Sequence, residues 1–275
     1  MNNDTSSKYG SILHKEKDEN GYTIRLFGIK IFTKREHVFQ KAENNKERVE
    51  YPTKFLKIVD EVRPNTMVGI ERLYSLWCSV NYIVKNKIDG DIVECGVWRG
   101  GCCELIAKTL VSLGNTSRRI YMYDTFEGMT QPDEVDVSYD GKIKAKEMLE
   151  LFEKKGSYEY GENGWCESSI QHVYNVMAET GYPMENVRLV KGKVEDTIPD
   201  VMPKRISILR LDTDWYESTK HEMLHLYKNL SQGGVLISDD YYYWAGCKKA
   251  IDDYFSGKKK PLFCKTEHGF TAVKS

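Results

Sequence analysis

The feature that most constrains the fold is an alternation of short apolar runs with longer segments of helical spacing, which begins near residue 90. Such an alternation is typical of a parallel sheet covered by helices on both faces. Two further apolar segments near the end of the chain predict a closing antiparallel pair. The pattern therefore predicts an α/β fold with a mostly parallel, seven-stranded sheet, and its strands are expected at 91–95, 119–123, 186–190, 206–211, 234–238, 262–264 and 270–273.

The first fifty residues differ in character from the rest of the chain. Residues 22–32 alternate apolar and polar side chains around Gly28, which is the pattern of a short hairpin, and residues 34–50 are charged and polar. A chain of 275 residues is long enough for one α/β domain with an appendage but short for two full domains. We predict an N-terminal extension at residues 1–50, a candidate for homo-oligomer contacts, and one domain at residues 51–275.

Charge and composition narrow the class of partner. The formal net charge is −1, and acidic and basic residues are interspersed, which argues against nucleic acid and favours a small-molecule ligand. No apolar run approaches the roughly 20 residues of a membrane span, and residues 1–10 lack the pattern of a signal peptide. The seven cysteines form no Cys-x-x-Cys pair, so we expect reduced thiols and a cytoplasmic protein.

The residues that follow the first three predicted strands suggest a nucleoside-containing ligand. In an open α/β sheet, ligands bind at the carboxyl ends of the strands. The glycine-rich segment Glu94–Gly101 would let the backbone approach a ligand closely. Asp124 ends the second strand and is placed either to accept hydrogen bonds from ribose hydroxyls or to cap the next helix. Val194 and Glu195 follow the third strand, where they would flank an adenine ring, although Glu195 would equally suit solvent.

Four aspartates follow the fourth and fifth predicted strands. Asp212 and Asp214 are two residues apart, so they point the same way if the strand continues, and Asp239 and Asp240 lie at the adjacent strand end. Four carboxylates in one cleft would repel each other, which raises their pKa values or requires a cation. A hard ion such as Mg²⁺ prefers oxygen ligands. The alternative, that individual aspartates cap the following helices, applies best to Asp214 and Asp240.

Ordered motifs across residues 51–260 resemble those of the macrocin O-methyltransferase family. The likeness implies a Rossmann-like class I methyltransferase fold, S-adenosylmethionine as the cofactor, and a sugar hydroxyl as the acceptor. The motifs that carry it are Thr66-Met67-Val68-Gly69 with Arg72-Leu73, the glycine-rich segment 94–101, Asp124-Thr125-Phe126-Glu127-Gly128, residues 192–197, Leu211-Asp212-Thr213-Asp214-Trp215, and Asp239-Asp240-Tyr241.

The resemblance also implies roles for particular residues. Asp212, Asp239 and Asp240 would hold a divalent metal ion such as Mg²⁺, and Asp214 would be the general base. The roles of Asp212 and Asp214 are interchangeable on the sequence alone, because both follow the same strand. The residues implied to surround the cofactor, from its methionine part to its adenine, are Thr66, Met67, Val68, Arg72, Glu94, Gly96, Cys102, Asp124, Phe126, Val194 and Glu195.

The acceptor is open to more than one interpretation. We expect a nucleotide-activated hexose or heptose of a bacterial surface polysaccharide, because segment 26–30 resembles leader regions of enzymes that build such polymers. An antibiotic deoxysugar is the alternative. The aromatic run Tyr241–Trp244 suits stacking on a pyranose face or core packing.

Two other functional classes are compatible with parts of the sequence. A metal-dependent hydrolase would also use clustered aspartates but would not need Asp124. An inactive binding protein would not need the aspartates.

Overall fold

The computed structural model describes residues 50–155 and 165–275, together with the strands of a small N-terminal sheet; for residues 153–155 and for that sheet only the backbone is described. The chain divides into two compact units, Met1–Glu50 and Tyr51–Ser275. In the first unit, β1 (Leu13–Asp18), β2 (Gly21–Leu26) and β3 (Ile29–Arg35) pair antiparallel in that order. Strands β2 and β3 form the predicted hairpin. The turn at 27–28 and residues 36–49 lie outside the described residues.

The second unit contains a seven-stranded sheet in the order β6-β5-β4-β7-β8-β10-β9. The first five strands in that order are parallel, whereas β10 is antiparallel to β8 and to β9. The fold predicted from the sequence is therefore confirmed. The strands are β4 (Asp91–Cys95), β5 (Ile120–Asp124), β6 (Val187–Lys191), β7 (Ile206–Leu211), β8 (Leu230–Ser238), β9 (Cys264–Lys265) and β10 (Phe270–Val273).

Helices connect and cover these strands. They are α1 (Thr53–Val62), α2 (Ile70–Lys85), α3 (Gly101–Ser112), α4 (Ala145–Lys155), α5 (Ile170–Ala178), α6 (Val194–Thr197), α7 (Tyr216–Leu226) and α8 (Ala245–Phe255). Helices α1, α2, α3 and α5 share one apolar core with the central strands, and α7 packs beside α8. Within the described part of the chain, none of the helices has the length and apolar character of a membrane span.

Helices α1 and α2 were not predicted as helices from the sequence. Leu73, Leu76, Val80 and Ile83 are buried along α2, at the spacing of one helical face. That spacing is a signal that the sequence offers. The segment ahead of the sheet therefore belongs to the core, and the residues between α1 and α2 approach the start of α3: a Cβ on Gly101 would lie 2.6 Å from the carbonyl carbon of Asn65.

The glycine-rich turn after β4 is shaped by a second close approach. Gly96 has φ +83°, and a Cβ there would lie 2.0 Å from the carbonyl oxygen of Asp212. No other residue type fits at this distance, because real Cβ atoms do not approach backbone so closely. The loops that follow β4 and β7 are therefore in direct contact.

Candidate active site

The site forms where the strand order reverses. Strand β4 lies between β5 and β7, so the turn after β4, Asp124 after β5 and the aspartates after β7 and β8 meet at one edge of the sheet. In open α/β sheets this switch point is where ligands bind. The candidate catalytic and binding residues that follow these strands therefore lie at one edge of the sheet.

Three of the four aspartates converge. Asp212, Asp239 and Asp240 each present one carboxylate oxygen, and these oxygens lie within 4.8 Å of one another. Asp239 and Asp240 are buried, and Asp240 Oδ2 has no hydrogen-bond partner among the described residues. Burial raises the pKa values of Asp212 and Asp240 well above the usual range of an aspartate. The trio matches the metal set predicted from the resemblance.

Asp214 lies beside this trio and is not one of its three convergent carboxylates. Strand β7 ends at Leu211, so the condition under which Asp212 and Asp214 would point the same way is not met. Instead, Asp214 has φ +65°, and the Trp215 amide donates to the Thr213 carbonyl at 2.7 Å across a tight turn. The turn directs the Asp214 carboxyl to hydrogen bonds with Asp240 and with the Trp244 side chain. Burial, with the nearby charge of Asp212, raises the pKa of Asp214 to about 8.

Two arginines bind the aspartate cluster, and only one of them was predicted. Arg72 of α2 forms an ion pair with Asp239 Oδ2. Arg210 of β7 lies 2.7 Å from Asp212 Oδ2, 2.9 Å from Asp239 Oδ1 and 2.5 Å from Glu94 Oε1. These guanidinium groups hold the pKa of Asp239 below its usual value against the opposing effect of burial. The sequence signal for Arg210 was a lone charge in the otherwise buried run of β7.

The donor set fits a divalent cation. Five carboxyl groups, those of Glu94, Asp212, Asp214, Asp239 and Asp240, surround only two arginines, so negative charge remains uncompensated unless protons or a cation are bound. Asp240 Oδ2 is an orphaned buried acceptor. Carboxylate oxygens are the ligands that Mg²⁺ prefers.

A recess beside the cluster contains part of the predicted cofactor set. Val68, Arg72, Cys102, Arg210 and Asp239 line it. Thr66 supports its wall, since its hydroxyl accepts from the Val68 amide at 3.1 Å and contacts the Cys102 sulfur at 3.9 Å. The Arg72 Nε is buried without a hydrogen-bond partner in the described chain, and the carboxylate oxygen Oε2 of Glu267 lies 3.8 Å from it. Met67 is not among the lining residues and is 40% exposed.

Asp124 binds the turn after β4. Its Oδ2 accepts from the amides of Val97 and Trp98 at 2.7 and 2.9 Å, and its Oδ1 accepts from the Phe126 amide at 2.6 Å. Despite these bonds, burial raises its pKa. The carboxylate thus fixes the glycine-rich turn that contains Gly96, and its contact with ribose stays a prediction.

The other predicted cofactor residues lie at different depths. Phe126 and Val194 are buried, whereas Glu195 is exposed at the start of α6. Glu94 is buried, and its second oxygen accepts from the Cys103 thiol at 2.6 Å, so its carboxylate is committed to Cys103 and Arg210. Direct contact of these four residues with the cofactor also stays a prediction.

Comparison with known proteins identifies the family. The model of the macrocin O-methyltransferase family matches residues 9–262. The chain belongs to this family. It is therefore an S-adenosylmethionine-dependent O-methyltransferase, as the sequence motifs predicted.

Individual relatives agree with this assignment. The methyltransferase is 35% identical over 190 residues to an 8-demethyl-8-(2,3-dimethoxy-alpha-L-rhamnosyl)-tetracenomycin-C 4'-O-methyltransferase of Streptomyces olivaceus, an alignment that covers 69% of this chain and 67% of the relative. It is 33% identical, with the same coverage, to the demethyldecarbamoylnovobiocin O-methyltransferase of Streptomyces niveus. The solved O-methyltransferase NovP superposes with a TM-score of 0.66 at 29% identity, covering 77% of this chain and 82% of NovP.

Behind the catalytic edge of the methyltransferase, Glu222 is a buried acid that the sequence analysis missed. It lies on α7 with no exposed surface, and its Oε1 accepts from the Thr213 hydroxyl at 3.0 Å. Its Oε2 has no hydrogen-bond partner in the described residues. Burial raises its pKa well above the ordinary value of 4.5. Burial thus favours the protonated form of Glu222, and its hydrogen bond with Thr213 supports the turn between Asp212 and Asp214.

Replacing Glu222 with glutamine should stabilise the methyltransferase increasingly as the pH rises. The raised folded-state pKa gives Glu222 a contribution to stability that is complete below pH 4.5 and is lost as the pH increases towards the folded-state pKa. Glutamine still accepts from Thr213 but cannot ionise. The difference in Tm between variant and wild type should therefore grow from pH 5 to pH 8, by roughly 2–4 °C for each kcal/mol relieved. A difference that does not change with pH would contradict the buried acid.

Proposed function

We propose that this methyltransferase transfers the methyl group of S-adenosylmethionine to a sugar hydroxyl, with a divalent cation held by Asp212, Asp239 and Asp240, and with Asp214 as the general base. The observation that carries the proposal is the position of Asp214 beside the convergent trio, next to the recess lined by Val68, Arg72 and Cys102. The acceptor, the base and the methyl donor would then meet at one strand edge.

The relatives favour one class of acceptor. The Streptomyces olivaceus enzyme is named for a substituted rhamnosyl group on tetracenomycin, and rhamnose is a deoxysugar. A deoxysugar attached to an antibiotic-like natural product is therefore the acceptor that we propose for this chain. The nucleotide-activated sugar of a surface polysaccharide, expected first from the sequence, has no support from these names. The hydrolase interpretation is set aside, because the matched family consists of methyltransferases.

Aromatic side chains beside the aspartates suit a sugar ring. Tyr243 is half-buried and lies near the carboxyl groups of Asp214 and Asp240, whose charges raise the pKa of its phenol together with burial. Its ring centroid is 5.1 Å from that of His268. Aromatic faces pack well on the apolar faces of pyranoses, and polar ring atoms remain available for hydroxyl groups. We propose that these two rings form a wall of the acceptor site.

The chemical task of the protein is to remove a proton and to align the reactants. A sugar hydroxyl is a poor nucleophile at neutral pH because it is almost fully protonated. When bound, the cofactor supplies the electrophilic methyl group, and the cation supplies positive charge beside the acceptor oxygen. Asp214 would accept the hydroxyl proton while the methyl group passes from the cofactor sulfur to the acceptor oxygen, so that an O–C bond forms, the S–C bond breaks and S-adenosylhomocysteine leaves. Arg72 and the recess orient the donor, and such positioning contributes several kcal/mol to the lowering of the barrier.

Metal removal tests the cation in this proposal. After treatment with a chelator and removal of the chelator, the protein should no longer methylate a deoxysugar-bearing natural product. Addition of Mg²⁺ should restore the activity. Release of S-adenosylhomocysteine is the measurement. The same assay on a panel of nucleotide sugars compares the two acceptor classes. Full activity of metal-free protein would remove the cation from the proposal, and transfer confined to nucleotide sugars would overturn the proposed acceptor.

A further inference from the structure

Arg210 is a buried cation at the centre of the aspartate cluster. We propose that Arg210 is a positioning residue for the cation site: it fixes the carboxylates of Asp212 and Asp239 in the arrangement that binds the divalent ion. This inference rests on the proposed function, because it concerns how the proposed ligands acquire their geometry. Arg210 acts through these carboxylates and is not assigned a contact with substrate or cofactor.

The contacts of Arg210 bridge two strand ends. Its Nη1 donates to Asp212 Oδ2 at 2.7 Å, and its Nη2 lies 2.9 Å from Asp239 Oδ1 in an ion pair that does not have hydrogen-bond geometry. Asp212 follows β7 and Asp239 follows β8, so one planar guanidinium spans the gap between the two loops. An arginine side chain presents several donors in a rigid fork, which fixes the orientation of carboxylates as well as their charge.

The guanidinium is itself held from the neighbouring strand. Glu94 of β4 is the register partner of Arg210 of β7, and its Oε1 lies 2.5 Å from Nη1. The other oxygen of Glu94 accepts from the Cys103 thiol of α3. The Arg210 side chain is only 2% exposed. The sheet and α3 therefore fix the position of the Arg210 guanidinium. A fixed guanidinium in turn restricts the positions of the Asp212 and Asp239 carboxylates.

Two possible roles of Arg210, neutralising the aspartates and orienting them, predict different effects of substitutions on cation affinity. If Arg210 only neutralised the cluster, removal of its positive charge would strengthen the attraction for a divalent cation. If Arg210 orients Asp212 and Asp239, a change that keeps the net charge but removes the fork should weaken cation binding. Partners that orient metal ligands typically contribute about 10- to 100-fold to metal affinity.

The test is Arg210→Lys, which keeps the charge but cannot bridge three carboxylates. Titration calorimetry with Mn²⁺ should give a Kd about 10- to 100-fold higher than that of wild type. The Kd for S-adenosylhomocysteine should change much less than this. Arg118→Lys is the control, because Arg118 bonds the Gly90 carbonyl ahead of β4, at the opposite end of that strand, and it should leave the Mn²⁺ affinity unchanged.

A second variant keeps the test decisive if the lysine substitution unfolds the protein. The double substitution Glu94→Gln with Arg210→Met removes the Glu94–Arg210 pair and the contacts of Arg210 with Asp212 and Asp239 at constant net charge, and it should weaken Mn²⁺ binding to a similar extent. Unchanged Mn²⁺ affinity in a folded, charge-conserving variant would overturn the role of Arg210 and leave the proposed function standing. Absence of Mn²⁺ binding by the wild type would instead overturn the proposed cation site, and with it this inference.

Discussion

Replacing Asp214 with asparagine is expected to lower kcat by about 10²- to 10⁴-fold, which is the usual contribution of a general base. Asparagine has the same shape and is among the residues that tolerate positive φ, so it should preserve the turn at φ +65°. The affinities for S-adenosylhomocysteine and Mn²⁺ should stay close to those of wild type, because Asp214 is not one of the three convergent carboxylates and asparagine can still hydrogen-bond Asp240. Single-turnover rates at saturating cofactor and cation are the measurement.

Asp200→Asn is the matched control, since Asp200 is an exposed aspartate that is not among the proposed site residues. It should leave kcat unchanged. A fall of less than about tenfold in Asp214→Asn, below the usual range for a general base, would assign the proton transfer to another group. Abolished Mn²⁺ binding in the same variant would show that Asp214 is a ligand, and that the roles of Asp212 and Asp214 are exchanged.

Replacing Asp239 with alanine is expected to abolish cation binding and also to destabilise the fold. Asp239 is the shared partner of Arg72 and Arg210, both of which are largely buried. Removal of one partner from a buried ion pair typically costs about 3–5 kcal/mol, because the remaining charge is left without compensation. Chemical denaturation and Mn²⁺ titration of the same protein measure the two effects separately.

Asp240→Asn provides the contrast for this prediction. Asp240 is also a proposed ligand, but its Oδ2 has no partner in the described residues, and its Oδ1 is not among the ion-pair atoms of either arginine. The Asp240→Asn variant should bind Mn²⁺ more weakly than the wild type but have the same free energy of unfolding. Equal destabilisation by Asp239→Ala and Asp240→Asn would contradict the assignment of Asp239 as the shared arginine partner.

The fold was predictable because its signal is local. The run at 206–211 is apolar at four of its six positions, and the structure forms β7 over the same residues, buried throughout. Strands at the centre of a parallel sheet are covered on both faces, so their sequences are nearly continuous apolar runs. The closing pair at 264–265 and 270–273 and the helices between strands followed from the same kind of pattern. Helices α1 and α2 carried a helical signal too, at Leu73, Leu76 and Val80, which the analysis did not use.

The aspartate motifs were also readable, because residues that follow parallel strands meet at one edge of the sheet. Their sequence spacing fixed which carboxyl groups come together at that edge. It did not fix their directions. The tight turn at Asp214, in which the Trp215 amide donates a hydrogen bond to the Thr213 carbonyl, directs this residue differently from Asp212, and no alternation rule for strands predicts a left-handed residue after the strand has ended.

The sequence by itself determined the sheet, its strand ends and the family to which the chain belongs. The tertiary structure alone decided how charge is distributed around those ends. Arg210 appears in the sequence as one arginine in an apolar strand, but its partners Glu94 and Asp239 are 116 and 29 positions away in the chain. Contacts between residues so far apart depend on strand register and helix packing. Strand register and helix packing set the distances between buried charges. These distances cannot be calculated from the spacing of the residues along the chain.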